Sequence, residues 1–148
     1  MAMTALHDTV SQLLQAREQR LTPTRRLLVD ILGNAGGPLT IPEILETRNG
    51  LAQSSVYRNL VVLEDVGVVH RVVTSDDFTR YELAEGLTED QHHHHHLVCS
   101  NCGRVEDLPA TPAVEQSVAA AVDEAAQRAG FHTQHHRLDL IGLCANCS

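Results

Sequence analysis

Between residues 6 and 66 apolar positions recur at steps of three and four, the period of helices with one buried face. Leu6, Val10, Leu13 and Leu14 predict a first helix over residues 4–20. Thr22-Pro23-Thr24 interrupts it, and Leu27, Leu28, Ile31 and Leu32 share a face of a second helix over 23–34, stopped by Gly36-Gly37-Pro38. Thr40 reads as the N-cap of a short third helix that turns Ile41, Ile44 and Leu45 inward. Asn49-Gly50 is a turn. A fourth helix starts near Gln53, capped by Ser54 or Ser55, and its stripe is Val56, Leu60, Leu63 and Val66. Tyr57 and Arg58 fall outside that stripe and point outward together, and Gly67 ends the helix.

The pattern then changes period. Residues 68–73 form a β-branched run, Ser75-Asp76-Asp77 a turn, and 78–83 a returning strand. Short helices followed by a hairpin predict a winged helix-turn-helix over residues 1–83. The polar stretch 84–91 (AEGLTEDQ) reads as a hinge. Beyond it, strands at 92–98 and 104–108 flank a Cys-x-x-Cys. An Ala-rich helix over 114–129 ends at Gly130, and 131–143 reads as a last strand. The expected fold is α+β, with a small α/β domain over 92–148.

Charge separates the same two halves. Residues 1–80 carry 8 Arg and 9 acids, whereas 81–148 carry 3 Arg and 10 acids, within a total of -8 and no Lys. The overall acidity disfavours general polyanion binding, but the near-neutral first half permits a local Arg-rich face. Aromatics are 3% of the 148 residues, so the core is aliphatic. No apolar run approaches the ~20 residues that span a bilayer. No signal peptide is visible, so the expected compartment is the reducing cytoplasm, where cysteines serve better as metal ligands than as disulfides.

The sharpest chemical signal is Cys99-Ser100-Asn101-Cys102 paired with Cys144-Ala145-Asn146-Cys147. Two such clamps complete a tetrahedral tetrathiolate site, and four thiolates leave Zn²⁺ no open position, which points to a structural ion. The competing reading is reduced thiols or one redox-active pair. The second signal is the run His92-His93-His94-His95-His96. On a strand, His92, His94 and His96 face one side and His93 and His95 the other, so one stretch can serve two metal sites. Further ligands must come from elsewhere: His70, Glu82, Asp107, Glu115, His132, His135 and His136 are candidates. A solvated His run is the bland alternative.

The third signal is the helix carrying Ser54-Ser55-Val56-Tyr57-Arg58-Asn59-Leu60, with Arg20, Arg25 and Arg26 upstream. Arg suits guanine edges and phosphates, Tyr suits thymine methyls or phosphate, and Ser suits phosphate. Arg71 and Arg80 lie on the wing. Alone, a Tyr-Arg pair is usually a surface pair; the winged-helix order makes it a candidate DNA-reading face.

Thr22-Pro23-Thr24-Arg25-Arg26, Ser54 through Leu60, Tyr81-Glu82-Leu83, HHHHHLVCSNCG and the late Cys-x-x-Cys occur in one order. In this the chain resembles the ferric uptake regulator superfamily over essentially its whole length. The resemblance implies a homodimeric, metal-dependent transcriptional repressor of metal-uptake or metal-homeostasis genes. Cys99, Cys102, Cys144 and Cys147 match its structural zinc site. Glu82, His94, His96 and Asp107 match its hinge-region sensor. His93, His95 and His136, with Glu115, match a further site. The departures are Pro38-Leu39 where iron-type members often supply a His, His70 where zinc-uptake regulators often carry an Asp, and Ala84 where those regulators use a Cys. The expected sensor set is therefore His70, Glu82, His94 and His96, with Asp107 as a fifth ligand, and its imidazoles and carboxylates suit Zn²⁺, Fe²⁺, Mn²⁺ or Ni²⁺.

The sequence thus predicts a Zn²⁺ plus a second divalent metal, palindromic double-stranded operator DNA as partner, and no membrane or small-molecule substrate. The DNA-contact residues are Arg20, Arg25, Ser54, Ser55, Tyr57 and Arg58. An enzyme is not expected, since no HExxH is present and the thiolate site is closed. A peroxide-sensing relative of the same superfamily and a metal buffer are the alternatives.

Overall fold

Helix α1 (Ala2–Gln15) buries Leu6, Val10 and Leu14, one residue per turn. It stops at Gln15 rather than at Arg20. Arg17, Glu18, Gln19 and Arg20 offer nothing apolar to bury, and Glu18 adopts φ 56° while the Gln19 N–H closes back on the Leu14 carbonyl at 2.9 Å. The computed structural model describes residues 2–74, 78–87, 94–134 and 136–148. The expected turn at Ser75-Asp76-Asp77, much of the hinge stretch, and His92, His93 and His135 lie outside the described residues.

Helix α2 (Pro23–Asn34) starts as the sequence predicts, with Pro23 in its first turn and Thr22 Oγ1 accepting from the Arg25 N–H at 3.3 Å. Its buried stripe is Leu28, Val29 and Leu32; Leu27 and Ile31 are half-buried, so the inward face is rotated from the expected one. A two-residue strand β1 (Leu39–Thr40), absent from the sequence reading, precedes α3 (Ile41–Thr47). Thr40 is the N-cap, in a reciprocal capping box with Glu43. Helix α4 (Gln53–Asp65) buries Val56, Leu60 and Leu63, with Val66 just beyond. Its N-cap is Ala52, not Ser54 or Ser55. Both serines lie inside the first turn, so their hydroxyls are not spent on capping.

Strands β2 (Val69–Val73) and β3 (Thr79–Leu83) form the antiparallel wing, and β1 joins on the far side of β3 in the order β1-β3-β2. The register sets His70 opposite Glu82. A second sheet holds β4 (His94–Cys99), β5 (Val105–Pro109) and β6 (Asp139–Gly142) in the order β5-β4-β6. β4 runs antiparallel to β5 and parallel to β6, and α5 (Pro112–Arg128) is the crossover that a parallel pair needs. The last strand is far shorter than residues 131–143, because pairing extends only where β4 supplies a partner. The fold is α+β: a winged helix-turn-helix followed by a small α/β unit.

Candidate metal centres

Parallel pairing of β4 with β6 sets Cys99 opposite Gly142, so both cysteine pairs emerge at one end of the sheet. Gly103 takes φ 73° in the first knuckle, a left-handed turn where glycine carries no penalty. The Cys147 N–H closes the second knuckle on the Cys144 carbonyl at 2.9 Å. The four Sγ atoms lie within 4.8 Å of one another. Cys102 Sγ and Cys144 Sγ are 3.8 Å apart, and four sulfurs at ~2.3 Å from a tetrahedral Zn²⁺ stand ~3.8 Å apart. The Cys99 thiol is lowered to about 6, first by the backbone N–H of Cys102 and then by those of Cys144 and Asn101. Cys147 is pushed up to about 11: the Asn101 side chain pulls it down, but hydrogen bonding with Cys144, desolvation and the other thiols outweigh that. Four unoxidised sulfurs converging at this spacing form a donor set that fits a tetrahedral cation. None of the four is in a disulfide.

The second centre joins the two sheets. Glu82 comes from the wing and His94 and His96 from β4, on the shared face that strand alternation predicts; one ligand atom from each falls within 4.8 Å of the others. His96 Nε2 is 2.9 Å and His94 Nε2 3.7 Å from the Glu82 carboxylate. His70 Nε2 lies 2.6 Å from Glu82 Oε1, so it enters the cluster as a partner of that carboxylate rather than as a member of the converging trio. Asp107 is exposed and 4.0 Å from His94. Burial alone would raise the Glu82 carboxyl, but hydrogen bonds with His70 and His96 and their charge hold it at about 2. Burial lowers His96, yet Glu82 and Asp139 together leave it above its ordinary value.

Asp139 is the residue that sequence reasoning missed. Its Oδ1 lies 3.0 Å from His96 Nδ1, which fixes the ring and leaves Nε2 aimed at Glu82. The contact follows from the β4–β6 register, His96 opposite Asp139, across 43 positions of sequence. The only local trace is an acid set between Leu138 and Leu140.

On the opposite face of β4, His95 is fully buried and its Nε2 lies 2.7 Å from Glu115 Oε1, in the first turn of α5. His136 Nε2 is 3.1 Å from Glu115 Oε2. The three form a third group with ligand atoms within 4.8 Å. His132 is exposed.

The DNA candidates gather around the N-termini of α2 and α4. Tyr57 is 54% exposed, Arg58, Ser54 and Arg20 are exposed, and Ser55 is half-buried. Arg25 is already engaged: Nε donates to Asn59 Oδ1 at 3.1 Å and Nη1 to the Arg20 carbonyl at 2.7 Å, bracing α2 against α4.

A winged helix joined to a second sheet by a metal-competent cluster defines a class of regulator. The chain belongs to the ferric uptake regulator family, whose sequence model matches residues 16–141. It is 31% identical to the Peroxide operon regulator of Bacillus subtilis, over 87% of this chain and 84% of that one. It is 27% identical to the Peroxide-responsive repressor PerR of Staphylococcus saprophyticus, over 96% and 90%. Among solved structures it matches the Vibrio cholerae ferric uptake regulator with a TM-score of 0.68 and 26% identity, covering 90% of this chain and 98% of that one. The Helicobacter pylori ferric uptake regulator shares its fold, with a TM-score of 0.75 at 23% identity over 98% and 93%. The resemblance read from the sequence is thereby borne out.

Proposed function

We propose that the chain is a homodimeric repressor that binds palindromic operator DNA when a divalent metal occupies the Glu82–His94–His96 centre, and that it governs metal-uptake or metal-homeostasis genes. The observation that carries this reading is that one ligand of the centre belongs to the wing sheet and two to the second sheet. A cation there draws the sheets together, with His70 and Asp107 as the nearest further donors. Two half-sites on DNA demand one spacing of two α4 helices, so fixing the pose of each wing selects the binding form. Residues 1–83 then act as the DNA-binding domain, 84–91 as the hinge and 92–148 as the dimerisation domain. Zn²⁺ at the four cysteines is structural, and His95, Glu115 and His136, with His93, serve a further ion. Tyr57 and Arg58 read the major groove; Ser54, Ser55, Arg20 and Arg25 serve the backbone.

No helix among the described residues is long and apolar enough to cross a membrane. A DNA-binding protein of this kind works in the cytoplasm. The test is metal analysis of the purified protein, then titration of operator DNA, selected from random duplexes, with Zn²⁺, Fe²⁺, Mn²⁺ and Ni²⁺ in turn. Retardation that is equal with and without added metal rejects the reading.

A second reading has its own support. Three carboxylates, Glu82, Asp107 and Asp139, surround the hinge imidazoles, and the Bacillus subtilis relative is a peroxide operon regulator. Iron at the centre would supply redox chemistry. Under this reading, peroxide added to the Fe²⁺-loaded protein adds one oxygen to the peptide carrying His94 and His96, and the Mn²⁺-loaded protein stays unmodified.

A further inference from the structure

The segment leading into β6 touches the wing at a point outside the metal centres. Arg137 Nη2 donates to the Arg71 carbonyl at 3.0 Å. Arg71 lies on β2, which among the described residues pairs only with β3, so β2 is an edge strand with backbone groups facing outward. Arg71 Nε in turn donates to Glu64 Oε1 on α4 at 2.7 Å. A continuous path therefore runs from Arg137 through the wing to the helix that carries Tyr57 and Arg58.

The neighbours of Arg137 give that path an input. His136 sits on Glu115 in the third centre, and Asp139 sits on His96 in the hinge centre. Between them, the Leu138 carbonyl accepts from the His96 N–H at 3.1 Å. His136 and Arg137 are bonded neighbours, with Cα atoms ~3.8 Å apart, so a backbone shift that brings His136 toward a ligand also moves the root of the Arg137 side chain. The anchored stretch 138–139 keeps that shift from being dissipated along β6.

We propose that Arg137 is a positioning residue that carries occupancy of the His95–Glu115–His136 centre to the wing, and through Arg71 and Glu64 to α4. This rests on the reading of that centre as a metal site. The third centre then sets the wing's pose together with the hinge centre instead of only stabilising its own sheet. Arg137 is exposed, so its replacement leaves the core untouched.

The experiment uses the full chain with the cysteine zinc in place. It compares the parent with Arg137→Ala, Arg137→Lys, His136→Ala and the Arg137→Ala/His136→Ala double variant. Three quantities are measured during Zn²⁺ titration: ions bound per chain by equilibrium dialysis, radius of gyration by solution scattering, and half-maximal operator binding. Arg137→Ala binds as many ions as the parent and stays dimeric. It needs about fivefold more Zn²⁺ for operator binding, the size expected for one solvent-exposed hydrogen bond, and compacts less on loading. Lysine, which still offers a donor, restores most of the difference. His136→Ala loses one ion per chain, and removing Arg137 on that background adds nothing further. Equal ion binding by the parent and His136→Ala shows that the centre is no metal site, which ends both the reading and the coupling. Loss of an ion in His136→Ala, with Arg137→Ala matching the parent or the two effects adding in full, leaves the metal site standing and overturns the role of Arg137.

Discussion

The two halves of the molecule are held together by different means. Among the described residues, every member of the buried apolar cluster lies between Leu6 and Leu83. Beyond the hinge, α5 buries no residue and β6 is exposed along its length. The buried members of β4 are His95, His96, Val98 and Cys99. The first half is an oil-drop fold of aliphatic stripes. The second is a thin sheet whose interior holds metal-ligand residues beside Val98, while the apolar side chains of Leu97, Leu140, Ile141 and Leu143 are exposed. Those side chains line one cleft together with Cys99 and Cys144. Under the proposed function, a half of this kind is expected to depend on a cation at the cysteines and on a second copy of itself that covers this apolar face.

The largest effect that can break this comparison is removal of the cysteine metal. Structural zinc contributes on the order of 10 kcal/mol in small domains. Chelation, or Cys99→Ser, is expected to unfold the second half and dissociate the dimer while the helices of the first half persist. Sedimentation and far-ultraviolet circular dichroism read the two parts separately. A Cys99→Ser chain that stays dimeric and metal-responsive removes the structural role. Next is Ile141→Asp, which places a charge where an apolar contact belongs, once on each side of a two-fold interface. Each apolar side chain removed costs ~1.5–3 kcal/mol before the charge is counted. The expected outcome is a monomer whose first half melts at the parent's temperature. A variant that remains a dimer would place the interface elsewhere.

How much of this is legible in the sequence follows the same division. The stripes at Val56, Leu60 and Leu63, the Thr40 cap and the glycine stops are local patterns, and they predict the winged helix almost residue by residue. Apart from strand β1, which exists only by pairing with the distant β3, the errors there are also local. Hydroxyl preference points to Ser54 or Ser55 as the cap although Ala52 holds that position, and helix-forming residues beyond Gln15 extend α1 past its last apolar turn. The cysteine pairs are legible because two identical spacings announce one tetrahedral site. Strand alternation alone separates His94 and His96 from His95. Asp139 and the Arg137–Arg71 contact are not legible, because each depends on how β6 registers against β4 and on how the second sheet sits against the wing. No local period encodes such long-range pairing. The ligand roles themselves rest on family resemblance, which the family match supports as a class and not residue by residue.

A smaller effect sharpens the comparison at the hinge. In the metal-free protein His96 titrates above its ordinary value and Glu82 at about 2. A raised His contributes stability that is complete below its unfolded pKa of ~6.5 and is lost as pH rises through the folded value. A depressed Glu contributes stability that is present above its unfolded value and lost as pH falls toward about 2. The metal-free protein is therefore expected to lose hinge stability as pH rises past the His96 pKa. Metal needs neutral imidazoles, so its affinity, and operator binding with it, should rise over the same interval. Thermal melts from pH 5 to 8 with and without Zn²⁺ should slope in opposite directions; parallel slopes would detach the hinge centre from metal binding.

The smallest effects belong to the DNA face, which the first half's own core holds in place. Arg58→Ala should cost about 1–3 kcal/mol against the preferred operator and relax discrimination at one base pair in each half-site. Arg20 is exposed and offers no base-reading geometry beyond a long cation near the start of α2. Its natural partner is a phosphate, whose capture releases a counterion and carries no sequence information. Arg20→Ala should therefore weaken preferred and scrambled duplexes alike. The slope of log K against log salt should shrink by about one for each phosphate left unneutralised, or about two for a dimer. Because the position of Arg20 is set by α1 and α2 rather than by the metal centres, that change should be the same with every metal that supports binding. A loss that varies with the metal would show that the first half's surface takes its shape from the second, and the division between the halves would fail at its weakest point.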